Sequence, residues 1–443
     1  MGLSVFFAFI ILASITIDAL YLLHKHKGKH VYGASLPLLP GPVGLPLIEN
    51  AVTFFRLLRH NPHRALARLA EVYGPIFSFR PGKTCTFVVL SSPALAREAL
   101  AEKDAFLANR FVPDSVRALA YDAGSMAFLP SSNPLWKQHR VTTGVHLTSG
   151  KGLNITRPIR DRHARQLAEL LRACSGQPVK VGEGGEPFKD IVGGLFGEWS
   201  KPNISDAFPF LAPLDLLGSR RRTSKNLEKL YKLFGGFVER RLAGGESHND
   251  MLDAALQLHA KSKLTRSEIA KLFTDMFIGA SETSNITVEW AMAHLLHHPK
   301  KMEKLRAEIS TVLGSKDFVE ESDLDKLPYL HAVVKETLRL HPAVPVVTRE
   351  VSADGVSLGG FPMPLGTCVL VNLWAIGRDP TAWHEPEEFK PERFLSADAE
   401  ALHFRGSDFA YRPFGAGRRM CPGLDFAAKF VPLVLASILH RID

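Results

Sequence analysis

The run from Thr265 to His298 constrains this chain most. It reads as one helix of about 33 residues, roughly 50 Å at about 1.5 Å per residue, long enough to cross a whole globule. Thr265-Arg266-Ser267-Glu268 is a capping box that starts it, and Pro299 stops it. Ile269, Phe273, Met276, Ala280, Thr283, Thr287 and Ala291 fall on one stripe at helical spacing. That stripe puts Thr283 on the buried face, with Glu282 beside it, just after the bulkless Gly279-Ala280-Ser281. A polar, loosened patch halfway along a buried helix is costly unless it is satisfied or used. Close helix packing around a satisfied threonine is the bland alternative. His294, His297 and His298 near the end read as a solvated cluster favoured by the helix dipole rather than as zinc ligands, since no HExxH pattern accompanies them.

Other elements must wrap that helix. The 443 residues are 46% apolar and 22% charged, too apolar for disorder and too charged for a polytopic membrane protein. Helix patterns dominate from residue 225 onward, whereas 176–218 is rich in Gly and Pro and poorly periodic. Short β-like runs stand at Ile76–Arg80, Thr86–Leu90, Val344–Arg349 and Thr367–Val371. Helices and strands do not alternate regularly, which argues against a doubly wound sheet. The expected fold is mainly α with a small β region. Four cysteines, Cys85, Cys174, Cys368 and Cys421, form no CxxC pair and exclude a disulfide scaffold. The net charge of +9 suits anionic membranes or acidic partner proteins and is too scattered to argue for nucleic acid.

The N-terminus predicts a membrane anchor over residues 1–23. Leu3 to Leu23 is apolar apart from Asp18 and small polar residues, about 31 Å of helix, one bilayer core. The basic segment His24–His30 follows and holds that side in the cytosol. A cleaved signal peptide would need a basic start and a small-residue cleavage site, and neither is evident. Residues 24–48 form a basic and Pro-rich linker, stiffened by Leu36-Pro37-Leu38-Leu39-Pro40-Gly41-Pro42. Residues 49–443 are then the globular body of the chain.

Two further constellations carry charge or chemistry. Glu336 and Arg339 stand at i, i+3 on one helical face, His341-Pro342 ends that helix, and Pro391-Glu392-Arg393-Phe394 offers a second arginine. Glu336 between Arg339 and Arg393 makes a closed, paired cluster with a structural role. The loop Phe414-Gly415-Ala416-Gly417-Arg418-Arg419-Met420-Cys421-Pro422-Gly423 precedes the last helix. Its glycines permit positive φ, and Cys421 sits just before a helix N-terminus, where free N–H groups stabilise a thiolate. Such a thiolate is a nucleophile or a metal ligand. A nucleophile wants a nearby base, and none is marked.

Those ten residues match F-x-x-G-x-R-x-C-x-G, and the chain resembles the cytochrome P-450 family of heme-thiolate monooxygenases. The Pro-rich hinge, Trp136-x-x-x-Arg140, the threonine of the long helix, Glu336-x-x-Arg339 and Pro391–Phe394 follow in that family's order. The resemblance spans essentially the whole chain and looks closest to plant endoplasmic-reticulum members around geraniol hydroxylases and related terpenoid oxidases, a judgement driven by Phe277–Leu296. It implies the cytochrome P-450 fold with an N-terminal transmembrane anchor, the catalytic domain in the cytosol at the endoplasmic reticulum membrane, and a small apolar substrate. It implies heme with Cys421 as axial ligand, contacts to the heme propionates from Arg419, Trp136, Arg140 and Arg349, and Phe414 near the sulfur. Gly417 and Gly423 shape the loop, and Thr283 and Glu282 are the catalytic pair that delivers protons. Electrons are implied to come from NADPH through a flavoprotein reductase, docked on a basic face around Lys137, Arg418 and Lys429.

The chain departs from the family pattern at four places. Ala280 stands where Gly is usual, and Glu49 stands where a glycine commonly follows the hinge. The stretch between Cys174 and Pro202 reads as shortened by some tens of residues. The chain stops at Asp443, where the family continues into a β-rich tail, so an incomplete, catalytically impaired member is one competing reading. A heme-thiolate enzyme that rearranges hydroperoxides is another. Members of that kind tend to lose the distal threonine, and Thr283 argues against it.

Overall fold

A computed structural model describes residues 39–440 except 47, 59–60, 83–84, 174–185, 245–246, 249 and 397–401. The expected anchor, most of the linker and Cys174 lie outside the described residues. Among the described residues no helix is long and apolar enough to cross a membrane.

The chain is mainly helical, with one small sheet region. The longer helices are α1 (Ala51–Leu58), α2 (Pro62–Tyr73), α3 (Pro134–Thr143), α4 (Gly150–Ala173), α5 (Glu186–Ser200), α6 (Ser219–Gly244), α7 (Met251–Ala260), α8 (Arg266–His297), α9 (Pro299–Leu313), α10 (Pro328–Leu340) and α11 (Leu424–Leu439). Strands β1 (Ile76–Gly82), β2 (Cys85–Leu90), β3 (Val346–Glu350) and β6 (Cys368–Asn372) form a four-stranded sheet in the order β1-β2-β6-β3, while β4 (Val356–Leu358) pairs with β5 (Phe361–Met363). β2 and β6 run parallel with Phe87 opposite Cys368, and the other ladders are antiparallel. The four β-like runs of the sequence became these four sheet strands: β2 and β6 are apolar runs, β6 buried throughout, while β1 and β3 carry aromatic or β-branched residues suited to a pleated surface.

Helix α8 is the axis. Thr265 caps it: the Glu268 amide donates to Thr265 Oγ1 at 3.2 Å, and the Thr265 amide donates to Glu268 Oε2 at 2.7 Å. Proline 299 ends it by opening α9 at once. Ile269, Leu272, Ile278, Ala291 and Leu295 are buried in the core. Phe273, Met276, Ala280, Thr283 and Thr287 of the predicted stripe instead border a central cavity. The histidines at its end do not form the solvated cluster expected. His294 is half-buried and stacks on Phe389, with centroids 4.3 Å apart and planes 4° apart. Burial first, then the neighbouring His298 and His297, pushes it down to about 4, and only His297 stays exposed.

The Gly-rich region 176–218 also differs from expectation, since α5 lies within it. Val192 and Leu195 of α5 are buried in one cluster with Leu227, Leu230 and Phe234 of α6 and Ile278 of α8. Burial against two long helices outweighs the weak intrinsic propensity of its glycines.

On the far side of α8, the Glu336 cluster closes as the sequence indicated. Arg339 Nε and Nη2 donate to the two Glu336 oxygens at 2.7 and 2.8 Å, and both side chains are fully buried. Arg393 Nε and the Lys390 amide also donate to Glu336 Oε1, at 3.1 and 2.8 Å. The remaining Arg339 N–H groups reach the carbonyls of Gly377, Pro386 and Glu388 at 2.5 to 3.0 Å. The cluster ties α10 to the irregular segment 377–394 and so frames the approach to the cysteine loop. Arg339→Ala strands the Glu336 carboxylate in the core, and a loss of about 3–5 kcal/mol of stability is expected in denaturant titration. A loss below about 1 kcal/mol, the worth of an exposed pair, contradicts this role.

Candidate active site

The loop Phe414–Gly423 is a tight hook. Gly415 and Gly417 take φ of 71° and 68°, where a side chain is strained. The Cys421 amide donates to Phe414 O at 3.0 Å and closes the hook. A Cβ at Gly417 would collide with the Asp104 carboxylate and the Leu100 carbonyl, and Asp104 Oδ2 accepts from the Arg418 amide at 3.0 Å. Gly423 caps α11 directly after the cysteine. Burial raises the Cys421 thiol, while the Gly423 N–H, then Arg140 and Arg110, pull it back. A thiol with this environment becomes a thiolate once a metal ion binds it.

The sulfur faces a cavity of about 570 Å³. Opposite the hook, α8 presents Ala280, Thr283 and Thr287. The Thr283 hydroxyl donates to Gly279 O at 2.6 Å, and its oxygen retains lone pairs for an incoming donor. Glu282 is not among the residues that border the cavity. Its Oε1 lies 3.6 Å from the point where a Cβ of Gly193 on α5 would stand. Neighbours on a helix diverge by about 100°, so one of the two residues faces the cavity and the other faces α5.

Arginines crowd one edge of the cavity. Arg110, Arg140, Arg349 and Arg419 all border it, as does Trp136. Arg419 donates to Ala108 O at 2.6 Å, Met126 O at 3.0 Å and Leu129 O, and its guanidinium lies 4.9 Å from the Trp136 ring centre. Arg140 Nη1 donates to Met420 O at 2.9 Å. Burial, then the charge of Arg110, lowers both Arg349 and Arg419 to about 9. Burial also lowers Arg110 and Arg140. The buried donors Arg349 Nε and Trp136 Nε1 have no acceptor among the described residues. Four cations and two orphaned donors on one rim call for a bound dianion. With a lone thiol set into the apolar floor, the donor set fits heme: sulfur for its iron, and Arg349, Trp136, Arg140 and Arg419 for its two propionates.

The sequence reading missed Arg110, which belongs to no motif, and Asp275, whose partners lie some 150 residues away. Of the three basic residues read as a docking face, Lys137 is exposed. Arg418 is exposed beside Asp104 at 3.6 Å, and Lys429 is engaged by Glu321 at 3.0 Å.

A cytochrome P450 family model matches residues 39–184 and 182–443. This chain belongs to the cytochrome P-450 family. It is 40% identical over 464 aligned positions to ent-cassadiene C11-alpha-hydroxylase 1 of Oryza sativa subsp. japonica, covering 97% of this chain and 91% of that one. It is 39% identical to oryzalexin D synthase of the same plant, over 93% of this chain and 87% of the relative. It is 36% identical to carnosic acid synthase of Rosmarinus officinalis, over 99% and 92%. The family match divides at 182–184, inside the stretch that reads as shortened, and 464 aligned positions exceed the 443 residues of this chain. This cytochrome P-450 is an oxidoreductase of the monooxygenase class. Heme bound here supplies oxygen activation, with a thiolate ligand that favours O–O cleavage. The chain supplies the sulfur, the cationic rim and the threonine face.

Cys421→Ser should abolish the thiolate type of absorbance band in the reduced carbon monoxide complex while leaving the far-ultraviolet circular dichroism of the helices intact. An unchanged band would sink the assignment of Cys421 as ligand.

Proposed function

We propose that this cytochrome P-450 inserts one oxygen atom of O2 into a small apolar terpenoid, with electrons drawn from NADPH through a flavoprotein reductase. The observation that carries the reading is a shared cavity: Cys421, Thr283 and an apolar wall of Phe277, Leu338, Val344 and Val347 all border it. An apolar wall rewards burial of hydrocarbon and offers few partners to a polar substrate. Relatives whose names specify a cassadiene hydroxylase, an oryzalexin synthase and a carnosic acid synthase support a terpenoid as the substrate class.

The chain's own groups divide the work. The thiolate of Cys421 would hold the iron of a bound heme, the arginine rim would hold its propionates, and the apolar wall excludes water and orients the substrate. Thr283 Oγ1 accepts a hydrogen bond from water in the cavity and passes a proton across it. Glu282, turned toward α5, serves as the outer donor that replenishes this proton from solvent. Exposed Lys137 and Arg418 present positive charge to an acidic reductase surface.

We further place the protein on the cytosolic face of the endoplasmic reticulum, held by residues 1–23. Support comes from exposed apolar side chains near the N-terminal end of the described chain. Val43 is 94% exposed, and Phe210 and Leu214 are 75% and 63% exposed. Gly41 abuts Ser78 and Gly82 abuts Ala207, so one strand, β1, brings both groups to the same side.

Two results follow. Thr283→Ala, assayed with reductase and NADPH, should keep NADPH oxidation but divert it to hydrogen peroxide, lowering product per NADPH by about tenfold or more, the usual worth of positioned proton transfer. Unchanged coupling removes Thr283 from this role. Full-length protein should sediment with microsomes and resist alkaline carbonate, and deletion of residues 1–23 should make it extractable. Extraction of the intact chain by carbonate refutes the anchor.

A further inference from the structure

One buried assembly is used by nothing described so far: a strap, residues 119–129, laid over the cavity. It starts on two consecutive non-glycine residues in the left-handed region, Leu119 at φ 53° and Ala120 at φ 50°. Backbone of that kind persists only where surrounding contacts over-determine it. Here α8 supplies them. Lys271 is 8% exposed, and its Nζ donates to Ala120 O at 2.6 Å. Its stem passes so close to Gly124 that a Cβ there would stand 2.5 Å from Lys271 Cδ. One turn later Asp275 takes the rest of the strap: Oδ1 accepts from Tyr121 Oη at 2.5 Å and Ser125 Oγ at 2.6 Å, and Oδ2 accepts from the Met126 amide at 2.6 Å. The Ala127 amide donates to Ser125 Oγ at 3.1 Å, which ties it to the same cluster. From α3, His139 Nε2 meets Gly124 O at 3.1 Å.

The far end of the strap meets the cationic rim. Met126 O and Leu129 O accept from Arg419, while Met126 and Ala127 border the cavity. Asp275 also borders the cavity, yet three donors from the strap already engage its two oxygens, so its first role is to hold the strap.

We propose that Asp275 is a positioning residue: with Lys271 it latches strap 119–129 to α8, and through the strap it fixes Arg419 against Trp136 and sets how much bulk the cavity admits beneath Met126 and Ala127. The latch stands on geometry alone; its consequence for ligand size rests on the heme reading above. An amide in place of the carboxylate keeps one acceptor, so either the Met126 amide loses its partner or the Tyr121 and Ser125 hydroxyls must turn round to accept, and the charge that strengthens all three bonds is gone.

The test uses full-length, heme-loaded protein and the variants Asp275→Asn and Tyr121→Phe. The second keeps the ring that stacks on Trp199 at 5.2 Å and removes only one donor, so it serves if the first fails to fold. Hydrogen exchange is read by mass spectrometry, and imidazole and 1-phenylimidazole are titrated by their optical shifts. In Asp275→Asn, amides of 119–129 should exchange about tenfold faster, the effect of losing a hydrogen bond to a charged group, while those of α10 stay unchanged. The ratio of the two azole dissociation constants should move by about threefold or more, because only the bulky azole senses the roof. Tyr121→Phe should move both readouts the same way and less, and the double variant should fall short of the sum of the singles. Wild-type exchange in the strap of both variants overturns the latch. Faster exchange with an unchanged azole ratio reduces Asp275 to a stabilising contact and overturns the positioning role. A wild-type protein without the thiolate carbon monoxide band would defeat the heme reading instead, and the exchange result would still decide the latch.

Discussion

Four guanidinium groups share one rim without a direct ion pair among the described residues, Asp275 and Asp104 acting on them only at longer range, and much of the site's architecture follows from that imbalance. Arg140 comes from α3, Arg349 from β3, and Arg419 from the cysteine hook, while Arg110 lies just before the strap. Burial and mutual repulsion lower Arg349 and Arg419 to about 9. An anion bridging such a rim relieves that repulsion, so a bound dianion would stabilise the folded chain by mass action. The thiol supplies the second half of the requirement. A porphyrin carrying a cation at its centre and two anions at its edge answers both halves.

The Glu336 cluster shows the alternative that the same chain uses where no ligand is wanted. One carboxylate there takes two arginines and a backbone amide, and three carbonyls absorb the remaining Arg339 N–H groups. Every donor and acceptor is closed within the protein. Two clusters of buried arginines thus differ in their partners: the one around Glu336 is closed within the protein, and the rim of the cavity is left open to an anion.

Local codes made much of this readable in the sequence. The capping box at Thr265, Pro299, the two positive-φ glycines of the hook and the Glu336–Arg339 spacing each act within a few residues, so the long helix, the cysteine loop and the closed cluster could be drawn before any coordinates. What failed depended on distant partners. Helix α5 is hidden by its glycines and is specified by burial against α6 and α8. The direction of Glu282 is set by which neighbour lies beside α8, and that neighbour is Gly193. His294 looked solvated because Phe389, which stacks on it, is 95 positions further along. Arg110 and Asp275 carry no motif at all; their roles exist only once the strap is folded across α8.

The long helix therefore does two jobs with one face. Thr283 meets the reacting side of the cavity, and Asp275, eight residues earlier and about 12 Å away along the axis, holds the roof. Both residues stand on one continuous helix, so the spacing between Thr283 and the strap is as rigid as the helix itself. Selectivity among substrates can then change through the strap's side chains without disturbing Thr283. The strained pair Leu119–Ala120 is retained because Lys271 and Asp275 compensate for it from that same rigid frame. A helix long enough to cross the globule is what allows chemistry and size selection to be held in register on one element.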